Sequence, residues 1–340
     1  VLTPKERLKC GLKKKSVDRA SFICLGGPMN MLVEEVMDLA GYSLSEAHTN
    51  PEVMATLAAS MYRYGEVDNF GLPLCGTIEA EAMGATVHLE TKLFRPEIIA
   101  GPIDFIEDWE KLNPLNLRQG RVKVVLDAMR ILKNRWPNVV PIIGNLVSPL
   151  SLATLLMKSE KVYDDFIRKP KEAHAFMKFL TENLIQFGLG QLKAGADVLA
   201  ISDFHLKEKN GHPRLFKEYT IPYVNAIIDA VKGFTATGTL IHFSGWSSAE
   251  WEELNLLHSD AISYSPAPSA VTGSHKALIG SIPSDFLEQG TPEEIRLVAR
   301  KLLNQGATVL LPSCGIPIKT PLKNIQSLVE TVKLFGPVWS

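Results

Sequence analysis

Eight short apolar or β-branched runs recur along this chain, each followed by a longer stretch with the periodicity of an amphipathic helix, which is the rhythm of repeated βα units. The runs are Ser21 to Leu25, Asn69 to Leu74, Val139 to Gly144, Asp197 to Ile201, Thr239 to Phe243, Ala261 to Tyr264, Ala277 to Gly280 and Thr308 to Leu311. Parallel strands covered on both faces read as apolar runs of this kind. Eight of them fit a closed parallel barrel better than an open doubly wound sheet. The expected fold class is therefore α/β, a single (β/α)8 barrel over residues 1–340.

Length alone does not choose, since 340 residues also suit two average domains, but no linker or low-complexity stretch divides the chain. Helix starts agree with the phase. Thr291-Pro292-Glu293-Glu294 places a hydroxyl at the N-cap, proline in the first turn and glutamate at the capping-box position, and Thr3-Pro4-Lys5-Glu6 repeats the device. Helical additions are expected around residues 1–20 and 26–68. A second insertion, around 75–138, includes an irregular stretch with Pro96, Pro102 and Pro114, and both long intervals are expected to roof the barrel mouth.

Charge narrows the partners. With 36 basic and 37 acidic residues there is no electrostatic case for nucleic acid or for an anionic membrane surface. The four cysteines, Cys10, Cys24, Cys75 and Cys314, make no disulfide framework. No apolar stretch approaches the roughly 18 residues that cross a bilayer, and the first residues form no apolar signal region, so a cytoplasmic location is expected.

In a (β/α)8 barrel the acting residues sit at the C-terminal ends of the strands. Cys75 and Glu79 follow the second run, Asn145 the third, Asp203 and His205 the fourth, and His242 and Ser244 the fifth; Tyr264 ends the sixth and Cys314 follows the eighth. Taken singly, a histidine and a thiol are most often a satisfied half-buried ring and an inert small core residue. Together at two strand ends, His242 and Cys314 read as pocket residues. Zinc would need at least one more ligand, from Asp203, His205, Glu79 or Glu81, because Ser244 is a poor ligand at neutral pH. Asp203 is equally a candidate helix N-cap, one of Glu79 and Glu81 is expected to serve the pocket and the other a cap, and Cys24 and Cys75 read as core thiols. No dinucleotide fingerprint, Walker loop, Cys-x-x-Cys or His-Glu-x-x-His occurs.

Ser16-Val17-Asp18-Arg19, Glu35 to Gly41 with Glu46-Ala47-His48-Thr49, Glu81-Ala82-Met83-Gly84, Gly195-Ala196-Asp197-Val198, Leu240-Ile241-His242 and Ser313-Cys314-Gly315-Ile316-Pro317 together resemble the uroporphyrinogen decarboxylase superfamily. Within it the chain is similar to the cobalamin-dependent methyltransferases that act on methylcobamide. The resemblance covers nearly the whole chain and implies a barrel whose mouth docks the corrinoid of a partner protein. True uroporphyrinogen decarboxylases have an arginine-rich loop after the first strand, where this chain reads Leu25-Gly26-Gly27-Pro28-Met29-Asn30, so porphyrinogen decarboxylation is disfavoured. The zinc methyltransferases have His-x-Cys at the fifth strand and a distant cysteine at the eighth; here His242 and Cys314 match and Ser244 replaces the middle thiol. Either a carboxylate replaces that ligand or the metal is absent.

The resemblance thus implies a corrinoid-dependent methyltransferase that moves a methyl group between a small O-methyl or N-methyl compound, or an acceptor, and the cobalamin of a partner corrinoid protein. Demethylation is favoured over coenzyme M methylation. Asp203, His242 and Tyr264 are the expected catalytic residues, Glu79, Asn145, His205 and Ser244 the expected substrate contacts, and His242, Cys314 and Glu79 the expected zinc ligands. The alternatives are a decarboxylase-like lyase acting on a smaller acid and a non-catalytic barrel that binds a corrinoid protein.

Overall fold

The structure, a computed structural model, describes residues 1–89, 95–204, 213–234, 238–244, 251–264 and 276–335. The barrel strands are β1 (Ser21–Phe22), β2 (Phe70–Leu72), β3 (Ile142–Val147), β4 (Val198–Asp203), β5 (Gly238–Phe243), β6 (Ala261–Tyr264), β7 (Ala277–Leu278 continued by Gly280–Ile282) and β8 (Val309–Pro312). Strands β2 to β7 follow one another in order in one parallel sheet, and β1 and β7 flank β8 in another. The two halves of β7 stitch these sheets together, the first pairing with β6 and the second with β8.

One seam remains, between β1 and β2, and the side chains of Asp68 and Asn69, with a main-chain bond from Asp68, take the place of a regular ladder there. Asp68 N donates to Phe22 O at 2.8 Å, and the Asp68 carboxylate accepts from Phe22 N at 3.0 Å. Asn69 does the same for Cys24, accepting from its N–H at 2.9 Å and donating to its carbonyl at 2.8 Å. Arg19 grips the Asp68 carboxylate with two N–H groups, a bidentate pair that holds the seam from the floor side.

Alternation along the strands divides the apolar residues into two cores. Ile23, Leu25, Ile143, Val198, Leu240 and Leu311 belong to the core inside the barrel, which also takes in Leu8 and Leu12 from the N-terminal helix Pro4–Leu12. That helix plugs the floor. It starts at the expected Thr3 capping box, and Gly11 lets it lie on β8, since a Cβ there would come within 2.7 Å of Val309 Cγ2. The larger core lies between the strands and the surrounding helices.

The long helices of the two insertions, Pro51–Gly65 and Gly120–Arg135, pack on each other and on β2 and β3, so they form the outer wall and do not roof the mouth as expected. The second insertion also carries an antiparallel ribbon, Thr86–His88 with Glu97–Ala100, that the sequence did not announce. Its exposed, partly charged strands lack the apolar pattern of the barrel strands. No helix among the described residues is long and apolar enough to cross a membrane.

Candidate active site at the barrel mouth

The register of the central strands decides which side chains face one another at the mouth. Ser202 of β4, His242 of β5 and Ser263 of β6 are successive register partners and share the inner face. His242 is fully buried, and its two ring nitrogens are both engaged: Nδ1 lies 3.1 Å from Ser263 Oγ and Nε2 lies 3.0 Å from Ser244 Oγ. Burial lowers the imidazole to about 4 against a weaker upward pull from the Ser313 backbone, so the ring is neutral at physiological pH. A neutral ring donates through one nitrogen and accepts through the other, and a hydroxyl serves either role.

Asn145 stands inside β3, not after it. Its Nδ2 donates to Gly26 O at 3.1 Å and to Ser202 Oγ at 3.0 Å. Gly27, at φ +61°, lies so close that a Cβ would fall 2.8 Å from Asn145 Cγ. The Gly26-Gly27 turn therefore seats the loop after β1 against the inner wall of the mouth.

Asp203 is buried at the end of β4, one register position away from the face that carries His242. Its carboxylate accepts from Ser148 Oγ at 2.7 Å. Ser148 in turn accepts from Ser151 N at 3.2 Å as the N-cap of helix Pro149–Leu156, so Asp203 braces the cap of the neighbouring βα unit. Its main-chain oxygen accepts from Ser244 N at 2.8 Å, which fixes the backbone of the residue that faces His242.

Glu79 and Glu81 point to different partners, and Glu81 is an ion-pair partner of Arg121 instead of the expected helix cap. Glu79 is buried on the short helix Ile78–Ala82; its Oε1 accepts from Val147 N at 3.0 Å, while Oε2 has no hydrogen-bond partner among the described residues. Burial pushes its carboxyl up to about 7, a value at which it can give or take a proton near neutrality. Glu81 pairs with Arg121 through Nε. Arg121 also donates to Cys75 Sγ at 3.2 Å and to Thr77 Oγ1 at 2.8 Å, and so holds the whole β2 loop from behind. Cys24 is the core thiol expected, its pKa pushed by burial to about 12. Cys75 is likewise buried in the core as expected; burial pushes its thiol up, but the His48 ring and the Arg121 guanidinium outweigh that and bring it down to about 6.

Cys314 is exposed, and its main-chain N–H donates to Ser284 Oγ at 2.8 Å. Tyr264 ends β6 opposite Phe243; its side chain, like the whole of His205, lies outside the described residues. The proposed zinc ligands are thus not assembled into a donor set. Both His242 nitrogens are spent on serine hydroxyls, Glu79 serves a strand N–H, and no group of three histidine, cysteine or acidic side chains among the described residues is placed to hold a metal. The described residues as placed do not make a donor set for a zinc ion.

Ser202, Ser263, Ser148 and Arg121 were not singled out by the sequence, because single serines and an arginine within a helix carry no motif. Arg95 was missed for another reason. The loop after β1 holds no cation of its own, yet Arg95 arrives from the second insertion and donates through Nη1 to Pro28 O.

A parallel barrel that gathers a neutral histidine, an amide, a row of hydroxyls and a carboxyl poised near neutrality at the C-terminal ends of its strands is built as a barrel enzyme. Comparison with known proteins agrees. The chain belongs to the uroporphyrinogen decarboxylase (URO-D) family, which it matches over residues 3–335. It is 30% identical over 334 residues to the methylcobamide:CoM methyltransferase MtaA of Methanosarcina barkeri, covering 96% of each chain. It is 29% identical over 336 residues to the methylcobamide:CoM methyltransferase MtbA of Methanosarcina acetivorans, covering 97% of this chain and 98% of that one. A solved methyltransferase from Methanosarcina mazei superimposes with a TM-score of 0.86 at 27% identity, over 98% of this chain and 99% of the other.

Proposed function

We propose that this barrel is a corrinoid-dependent methyltransferase that moves a methyl group between a small methylated compound and the cobalamin of a partner corrinoid protein. The observation that carries the reading is end-to-end similarity to enzymes named for methyl transfer from methylcobamide, joined to a mouth that retains the imidazole at the end of β5. The partner's corrinoid, when docked, supplies the nucleophile or the methyl group; the chain's own task is to hold the small molecule and manage its proton.

The departures from a zinc set favour a methylated oxygen or nitrogen donor over a thiol. A thiol has to be made a thiolate before it accepts methyl, and a soft metal does this; an ether or amine donor instead needs a proton delivered to its leaving atom. We assign that proton to Glu79, whose Oε2 is unengaged and whose carboxyl is protonated in part near neutral pH. His242, neutral and held between Ser244 and Ser263, orients the substrate through hydrogen bonds, with Asn145 and Ser202 beside it. Asp203 is given a positioning part through Ser148 and the Ser244 backbone.

Two other readings, a lyase acting on a small acid and a binding barrel, have no comparable support. The test is methyl transfer from O-methyl and N-methyl donors to a corrinoid protein reduced to its nucleophilic state, followed by its absorption spectrum. Absence of transfer from every donor class, with the corrinoid protein competent in a control reaction, would sink the proposal.

A further inference from the structure

We infer that Cys75 is a modification site, a thiolate that reduces small hydroperoxides and is itself oxidised to a sulfenic acid. The inference does not rest on the methyl-transfer reading. Cys75 lies buried in the loop after β2, where Arg121 Nη1 donates to its sulfur at 3.2 Å and Thr77 Oγ1 stands 3.4 Å away. Thr77 Oγ1 accepts from Arg121 Nη2 at 2.8 Å, which leaves its own hydrogen for the sulfur. A cation and a hydroxyl thus converge on one sulfur atom.

A third group comes from the first insertion. His48 is 1% exposed, and neither of its ring nitrogens has a hydrogen-bond partner among the described residues, although this ring acts more strongly on the thiol than Arg121 does. Buried polar groups ordinarily find partners, so such a ring beside a nucleophilic sulfur points to a small polar ligand. The other charges around the sulfur divide: Arg95 gains from the thiolate, Glu79 is disfavoured by it, and Glu81 is turned to Arg121. Access is narrow. A Cβ on Gly76 would lie 2.9 Å from Pro28 Cγ, so the loop after β1 packs tightly on the loop that carries Cys75, and the site admits a small oxidant ahead of a bulky reagent.

The sulfur attacks the terminal oxygen of the hydroperoxide and forms an S–O bond as the O–O bond breaks. The leaving oxygen departs with that electron pair and takes up a proton that His48 relays from solvent. Sulfur is oxidised by two electrons, and the hydroperoxide becomes an alcohol, or water when it is hydrogen peroxide. A thiol brought to about 6 is mostly thiolate at pH 7, roughly 30-fold more so than an ordinary thiol near 8.5. The weaker nucleophilicity of a less basic sulfur takes back roughly 10-fold of that. Any larger advantage must therefore come from Arg121, Thr77 and His48 acting on the transition state.

The test is competition among the chain's own cysteines. Protein is treated with limiting hydrogen peroxide, quenched with catalase, unfolded in denaturant containing dimedone, and mapped by peptide mass. Buried Cys75 is expected to react about 10-fold faster than exposed Cys314, with buried Cys24, whose thiol is pushed up to about 12, left unlabelled. With a bulky aromatic disulfide the order of Cys75 and Cys314 should reverse. The Cys75 rate should change little between pH 7 and pH 9, and should fall about 10-fold in each of Arg121→Lys, Thr77→Val and His48→Gln. Oxidation of Cys314 ahead of Cys75, the same order with both reagents, a Cys75 rate that climbs steeply between pH 7 and pH 9, or a rate unchanged in all three variants overturns the inference. The first three readouts use the wild type alone, so they hold even where a variant fails to fold.

Discussion

Ser244 Oγ lies 3.0 Å from His242 Nε2, so the ring nitrogen that faces out of β5 is occupied by the very residue that stands where a thiol ligand would be. The serine does more than fail to bind a metal; it takes up the nitrogen that would. Ser244→Cys is expected to reverse this. A thiolate at that position competes with the hydrogen bond and, with His242 and the exposed Cys314, supplies three soft or borderline ligands. Elemental analysis after zinc loading and desalting should give well under one zinc per chain for the wild type and about one for Ser244→Cys. Adding Cys314→Ala to that variant should remove the metal again. One tightly held zinc in the wild type, lost in His242→Ala, would overturn the assignment.

Buried His242 also predicts an acid sensitivity. Its pKa falls from 6.5 to about 4 on folding, so the unfolded chain binds the proton first as pH drops. Its share of stability is complete above about 6.5 and is lost progressively down to about 4, with an upper bound of about 3 kcal/mol. His242→Gln keeps a hydrogen-bonding amide without the titration. The fall in Tm between pH 7.5 and pH 4.5 should be several degrees smaller in His242→Gln than in the wild type; equal falls would mean the ring is not buried neutral.

Glu79 acts in the opposite sense. Burial raises its carboxyl from 4.5 to about 7, so the folded chain holds the proton more tightly, and stability is lost as pH rises through about 7. Glu79→Gln is expected to be more stable than the wild type at pH 8 by about 1 to 3 kcal/mol and no more stable at pH 5. If Glu79 is the proton donor, the same variant loses at least about 100-fold in kcat on ether or amine donors. Denaturant unfolding at the two pH values and donor turnover separate a stability effect from a catalytic one.

Most of the frame was legible because parallel barrel strands are apolar on both faces, and each of the eight runs overlaps a barrel strand. The limits of legibility lie where polar side chains enter strands. Asn145 reads in the sequence as a residue beyond the third strand, yet it sits within Ile142–Val147, where Gly26 O and Ser202 Oγ accept from its amide nitrogen. Asp203 likewise reads as a loop residue and is held inside β4 by Ser148. Several family motifs turn out to build the frame: Asp18 and Arg19 tie the floor and the β1–β2 seam, and Asp197 accepts from Ile142 N at the start of β3. The serines around His242 were silent because their meaning depends on a register that only the folded sheet supplies.

Gly27 carries two constraints that can be separated. Its φ of +61° disfavours any side chain, and a Cβ would lie 2.8 Å from Asn145 Cγ and 3.0 Å from Asn145 Oδ1. Gly41 has a similar φ of +73° with nothing within 4 Å, so Gly41→Ala measures the backbone cost alone, about 1 to 2 kcal/mol. Gly27→Ala should cost a further 1 to 3 kcal/mol or so, because Asn145 must swing away and give up its bonds to Gly26 and Ser202. The same displacement disturbs the wall beside His242, so kcat/KM is expected to fall by at least about 10-fold at temperatures where the variant is fully folded. Trimming Asn145 to alanine in the Gly27→Ala background should relieve the steric part, giving a favourable coupling of about 1 kcal/mol in a double-mutant cycle. Strict additivity of the two substitutions, or a Gly27→Ala cost equal to that of Gly41→Ala, would show that the loop after β1 is not seated on Asn145.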